Sequence, residues 1–193
     1  MPLILNGATS GSTTIQATDA VTQTITLPNN TGTVLTTASS GVVTQAMLST
    51  NVAGNGPAFS AYMSATQTVT SATSTKLTFN TKVFDTNSNF DSTTNYRFTP
   101  TIAGYYQVTL LITGAANATG LTGAIYKNGS AYSYATVGAG ITGFGSGVIC
   151  NALISMNGTT DYLEGYVYTT GGLLQAFGGA TNTQFSAFLA RSA

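Results

Sequence analysis

Residues 105–112 read YYQVTLLI, and the alternation within this octapeptide decides the fold. One parity gives Tyr106, Val108, Leu110 and Ile112, an unbroken apolar face, while the other gives Tyr105, Gln107, Thr109 and Leu111, which is half apolar. Successive side chains of a strand point to opposite sides, so the pattern predicts a strand with one face wholly inside a core. The mixed second face suits a sheet that packs inward on a sister sheet and outward, in part, on a neighbouring subunit.

Strand signals extend from this segment in both directions. From Pro57 to the end, short β-rich runs alternate with turn residues at spacings that suit an antiparallel sandwich rather than βαβ units. Asn128-Gly129 and Asn157-Gly158 read as hairpin turns, because both residue types tolerate positive φ. Gly54-Asn55-Gly56-Pro57 punctuates the chain, and a domain boundary is expected there, between residues 1–56 and 57–193.

Residues 1–56 have a different texture. Thr/Val/Ile runs at 13–17, 21–27 and 33–37 are separated by Asp19 and by Pro28-Asn29-Asn30-Thr31-Gly32, and each run is too thin to bury a core by itself. Such runs need partners from other chains or a larger assembly. A short helix is expected over 39–52, capped by Ser40, with Val43, Met47 and Leu48 on one side.

Composition narrows the chemistry. Of 193 residues, 5% are charged, against roughly 25% in an ordinary soluble domain. Five basic and five acidic residues cancel, which removes the positive footprint of a nucleic-acid or anionic-membrane binder; neither partner is expected. Near-neutral surfaces favour association, so an oligomer is the expected state. Histidine is absent and Cys150 is the single cysteine, which takes away the commonest general base and leaves no intrachain disulfide or thiolate metal site. The opening MPLILNGATSG has neither a basic leader nor a long apolar core, and no apolar run approaches the ~20 residues of a membrane helix. The expectation is a soluble protein made in the cytoplasm of the producing cell.

Four motifs invite chemistry, and each has a plainer reading. Gly138-Ala139-Gly140-Ile141-Thr142-Gly143 satisfies G-x-G-x-x-G, with Glu164 downstream, but a nucleotide fingerprint needs a helix to begin there. The sequence continues FGSGVICNALISMNG, which reads as a Gly-rich loop between strands followed by a strand. Asp85, Asn87, Asn89 and Asp91 have the odd spacing of a calcium loop, yet Phe90 stands at the sixth position, where glycine is needed, and Tyr96 at the twelfth, where Glu is needed. The plainer reading is polar turns between two buried phenylalanines, Phe84 and Phe90. Asp161 and Glu164 are the nearest candidates for a glycosidase carboxylate pair, but a separation of three directs them to opposite sides of a strand. Cys150 lies in an apolar strand without an activating cation, which predicts a buried and inert thiol. Sequons at Asn29, Asn117, Asn128 and Asn157 read as turn chemistry. No catalytic, cofactor or metal residue is therefore assigned. Tyr132, Tyr134, Tyr166 and Tyr168 are the side chains best suited to recognition, since each offers a flat apolar face and a hydroxyl.

The stretch KLTFNTKVFDTNSNFDSTTNYRFTPTIAGYYQVTLLI, residues 76–112, resembles the globular heads of the complement C1q family, which share a jelly roll with tumour necrosis factor. The resemblance rests on Phe84-Asp85, Phe90-Asp91, Phe98, Pro100 and Gly104-Tyr105-Tyr106. It continues through Pro57-Ala58-Phe59-Ser60-Ala61, a hairpin at Tyr126-Lys127-Asn128-Gly129, a later hairpin over 153–168, and the closing strand Phe185-Ser186-Ala187-Phe188-Leu189. It covers residues 57–193 and implies a ten-stranded, all-β jelly-roll sandwich that trimerises, displays loops at one end and recognises ligands without catalysis. In this pattern the aromatics fill the space between the sheets, and Gly104 supplies a turn. No Gly-X-Y repeat precedes the head, and the charge poverty puts ion-dependent ligand sites in doubt.

The segment GSTT, alternating hydrophobics, then TLPNNTGTVLTT resembles the β-rich segments that precede display or receptor-binding domains in tailed-bacteriophage virion proteins. Together the two resemblances imply a homotrimeric virion appendage such as a tail fibre. Its N-terminal segment would attach to other capsid or tail proteins, and its head would meet host-surface glycans or proteins. A capsid decoration protein at threefold positions is the nearest alternative. A tail-borne polysaccharide depolymerase is a third.

Overall fold

The computed structural model describes residues 3–6, 12–15, 48 and 54–193, and the chain divides into two units, Met1–Val42 and Val43–Ala193. In the first unit, β1 (Leu3–Asn6) pairs antiparallel with β2 (Ser12–Ile15), with Leu3 opposite Ile15. The expected strands at 21–27 and 33–37, and the expected helix over 39–52 apart from Leu48, lie outside the described residues.

The second unit holds eleven strands: β3 (Ala58–Tyr62), β4 (Gln67–Val69), β5 (Thr75–Lys76), β6 (Thr81–Asp85), β7 (Phe90–Asp91), β8 (Arg97–Phe98), β9 (Gly104–Lys127), β10 (Ser130–Met156), β11 (Leu163–Thr170), β12 (Leu174–Ala176) and β13 (Gln184–Ser192). Three of them, β5, β7 and β8, are only two residues long, and the count stands one above the ten expected. All pairings are antiparallel, and no helix occurs among the described residues.

The architecture is organised by one long hairpin. β9 and β10 pair along nearly their whole length around Asn128-Gly129, where φ is +52° and +78°, the double positive-φ geometry of a type I′ turn. Residues 104–111 of β9 also pair with β13, which leads to β3 and β6; residues 120–127 pair instead with β11, which leads to β5, β8 and β7. Each long strand therefore starts in one layer and ends in the other. The passage between layers carries register irregularities between Gly138 and Ile141 and between Phe144 and Ser146, and such irregularities bend a strand. The Gly-rich segment predicted as a loop is thus part of β10, because glycine here allows a strand to turn the corner without interrupting its ladder.

The two layers close on an aromatic centre. The ring of Phe59 stacks on Phe90 at 4.5 Å and on Phe98 at 4.6 Å, and meets Phe185 edge-on at 5.2 Å. Tyr106, Val108, Leu110 and Ile112 are fully buried, as the alternation in the octapeptide predicts, while Tyr105 on the opposite parity is 44% exposed. Small residues let the layers approach. A Cβ on Gly165 would lie 2.8 Å from the Phe79 ring and 2.9 Å from Leu110, and one on Gly123 would crowd Val148 and Ile112.

Three further sequence expectations are corrected. The segment 153–168 is not a hairpin: β10 pairs with β9 through Met156 in one layer, β11 pairs with the far end of β9 in the other, and Asn157-Gly158 belongs to the connection between layers. Phe84 is not a core residue, because its register opposite Ser60 turns it outward, 48% exposed; Phe90 and Phe98 hold the interior instead. Gly104 is needed for space rather than for a turn, since a Cβ there would sit 2.4 Å from the Arg191 carbonyl oxygen.

Removing the ring of Phe59 leaves a cavity at the meeting point of both layers, so Phe59→Ala is expected to cost about 3–5 kcal/mol in denaturant unfolding. Gly165→Ala overpacks the same interface and should cost about 1–3 kcal/mol.

Candidate functional site

The polar side chains that invite chemistry are occupied structurally. Asp91 accepts hydrogen bonds from the backbone N–H groups of Thr93 (2.9 Å), Thr94 (3.0 Å) and Asn95 (3.0 Å), from the Thr93 hydroxyl and from the Asn95 amide. These donors, those of the Thr94 and Thr93 backbone foremost, hold its carboxyl well below the usual carboxylate range. Asp85 accepts from the Asn89 and Phe90 N–H groups and pairs with Lys82 at 3.1 Å. The two carboxylates of the calcium-like stretch are thereby committed to fixing the turns around Phe90. Among the described residues no group of three or more His, Cys, Asp or Glu is placed to hold a metal, and no helix is long and apolar enough to cross a membrane.

Asp161 and Glu164 are held by different lysines. Lys127 donates to Asp161 at 2.8 Å, and this bond, with another from Asn128, lowers the Asp161 pKa. Glu164 is nearly buried and pairs with Lys76 at 2.7 Å. Asn157 Oδ1 accepts from the N–H groups of Thr159, Thr160 and Asp161, and Asn128 Oδ1 accepts from Tyr162 N–H, so both asparagines work as turn chemistry. Cys150 is buried, its thiol 3.6 Å from the Ser133 hydroxyl. Residues 138–143 lie in β10, so no helix begins at the G-x-G-x-x-G motif.

What this unit offers to solvent is two sheet faces of different character. The outer face of the β6-β3-β13-β9-β10 layer carries Phe84, Phe188, Tyr105, Ile149 and Leu153, each between 44% and 58% exposed. Cross-strand register brings them together: Leu153 opposes Gln107, which opposes Phe188, and Ile149 opposes Leu111. A groove of about 500 Å³ between Tyr105, Leu153 and Arg191 runs into this flank. The sequence carries its signal, since VICNALI at 148–154 is apolar on both parities except at Asn151, and exposed Phe188 takes the parity opposite to buried Phe185.

The opposite layer shows an aromatic and hydroxylated face. Tyr134, Ala124 and Tyr166 share one cross-strand row, and Thr136, Thr122 and Tyr168 the next. Tyr126 stacks on Tyr166 at 3.9 Å and its hydroxyl lies 3.0 Å from that of Ser74. Three of the four tyrosines selected from sequence thus converge here; Tyr132 lies beyond an irregularity at Ala131/Ser133. Tyr126, Thr122 and Thr136 were not singled out, because nothing in their local sequence separates this face from any other strand face.

No protein-family model and no characterised protein sequence matches the chain. Solved structures do resemble it. Eiger, a tumour necrosis factor of S. frugiperda, is similar at 10% identity over 71% of this chain and 92% of its own, with a TM-score of 0.56. Murine APRIL is similar at 6% identity over 68% and 96%, with a TM-score of 0.54. Vertex protein P5 of the phage PRD1 is similar at 15% identity over 69% and 72%, with a TM-score of 0.53. The fold is therefore the jelly-roll sandwich of the tumour necrosis factor type.

The depressed Asp91 pKa sets an acid dependence. A carboxyl whose folded pKa lies below its unfolded value, about 4, contributes stability that is complete above that pH and lost as pH falls toward the folded value. Melting temperatures measured from pH 7 to pH 2 should fall below about pH 4 in the native protein and fall markedly less in Asp91→Asn. Equal acid losses in both proteins would remove Asp91 from this account.

Proposed function

We propose that the chain is a non-enzymatic phage virion protein: a homotrimeric head, residues 57–193, carried on an attachment segment, residues 1–56, and displayed on the particle for adhesion to the host surface. The observation that carries the reading is the exposed flank of Phe84, Phe188, Tyr105, Ile149 and Leu153 on a jelly roll with so few charges. Apolar surface of this kind on a sheet face is stabilised by covering it. The edge of β10 over residues 146–156, which pairs only with β9 among the described strands, offers a second and different surface. A contact that joins two unlike surfaces is heterologous, and where its rotation closes it makes a ring rather than a twofold dimer.

The likeness to a phage vertex protein supports a place on the virion, and its location at a vertex favours, as a second reading, display on the particle shell over display on the tail. The saturated carboxylates and the absence of histidine support the non-enzymatic part. The C1q-like aromatic and Gly-Tyr-Tyr pattern supports recognition by surface complementarity.

The test is assembly, then location. Light scattering on the full chain at micromolar concentration is expected to give three times the 19.6 kDa protomer mass. Phe188→Glu and Leu153→Glu, both at exposed positions of the fold, are expected to give a folded monomer. A native monomer would defeat the trimeric reading. An antibody to residues 57–193 should decorate intact particles, and the label's position, shell or tail, decides between the two modes of display.

A further inference from the structure

The tyrosine face of the β10-β9-β11 layer has the shape and chemistry of a trough. Its floor is the outward side of β9, where Thr122 and Ala124 are small and Tyr126, stacked on Tyr166, closes one end. Its walls are Tyr134 on β10 and Tyr166 with Tyr168 on β11, the two flanking strands standing about 10 Å apart. Tyr134 is 72% exposed, the most exposed large apolar side chain among the described residues. Alanine is a poor strand former and packs little, so the Ala124 position trades sheet stability for depth between two aromatic walls.

The lysines around this face are paired with carboxylates, and the arginine beside it rests on an aromatic ring. Lys76 and Glu164 pair at 2.7 Å, Lys127 and Asp161 pair at 2.8 Å, and Arg97 lies over the Tyr162 ring at 4.5 Å. What is left to meet a ligand is the rings and hydroxyls of Tyr134 and Tyr168 and the one face of Tyr166 that Tyr126 does not stack on, with Thr122 and Thr136 linked at 2.9 Å. An anionic ligand would find both lysines already paired. A sugar ring presents an apolar C–H face and a rim of hydroxyls, which matches an aromatic wall beside hydroxyl donors and acceptors.

We propose that the trough along β9, between Tyr134 and the Tyr166/Tyr168 pair, binds an uncharged oligosaccharide lying along the strand, its sugar faces against the tyrosine rings. The proposal deepens the adhesive reading above and rests on it. Each site alone is shallow and weak, with a Kd on the order of 1 mM, and three copies on one head raise the apparent affinity through avidity. The trough and the apolar flank lie on opposite layers, and the partner surface proposed above is the 146–156 part of β10, away from Tyr134, so that contact leaves the trough open.

The experiment is affinity electrophoresis of the full chain through gels containing dextran, mannan or galactomannan, with alginate as the acidic control. Retardation by at least one neutral polymer is expected, with apparent affinity falling about tenfold or more in Tyr134→Ala and Tyr168→Ala. Both variants alter exposed or half-exposed rings, and their melting temperatures are measured alongside. Tyr168→Phe, which keeps the ring, should retain most of the binding.

Retardation that is indifferent to both tyrosines, stronger in alginate, or absent from every neutral gel overturns the proposal. The adhesive reading is tested separately by binding of the same protein to intact bacterial cells before and after periodate oxidation of their sugars. Binding that survives oxidation keeps adhesion and removes the glycan trough. Retardation on a neutral gel without binding to any cells keeps the trough and removes adhesion.

Discussion

Phe59 stacks ring on ring with both Phe90 and Phe98, and the closure of the two layers on each other depends on that cluster of rings. Phe59 comes from the layer that contains β13 and the start of β9, while Phe90 and Phe98 come from short strands at the edge of the opposite layer. Strands of two residues hold little by their own hydrogen bonds; β7 and β8 stay in place because their phenylalanines are seated against Phe59 and their turns are pinned by Asp85 and Asp91. The carboxylates that look like a calcium loop thus serve the core. They saturate the backbone donors of turns that must be tight if two aromatic rings are to arrive in register.

Much of this was legible in the chain. The octapeptide at 105–112 announced a strand with one dry face, and the dry side chains are the ones the alternation selects. The Asn128-Gly129 hairpin followed from the need for positive φ at both positions. What could not be read was which strands are neighbours. Asn157-Gly158 looks locally like a second hairpin, but β10 and β11 each pair with a different end of β9, a property of the ribbon's length and not of the turn. Phe84 resembles Phe90 in its local sequence, and a single register decides that one faces solvent and the other the core.

The candidate surfaces were legible to different degrees for the same reason. A strand apolar on both parities but for Asn151, such as 148–154, signals an apolar outer flank within one stretch of sequence. The tyrosine trough is assembled from three strands, with Tyr134, Ala124 and Tyr166 more than thirty residues apart at the extremes, and only cross-strand register makes them a row. Selecting tyrosines for their chemistry reached three of its walls; the small floor between them had no local signature.

The ribbon of β9 and β10 gives the fold a further property. In most sandwiches the two sheets are separate ladders linked by loops, and one can fray while the other persists. Here the same two strands carry hydrogen bonds in both layers, so opening either sheet from within unzips backbone that also belongs to the other. Amide hydrogens in the middle of the ribbon should therefore exchange with solvent at one common slow rate across both layers, the behaviour of a head that stays whole or comes apart at once.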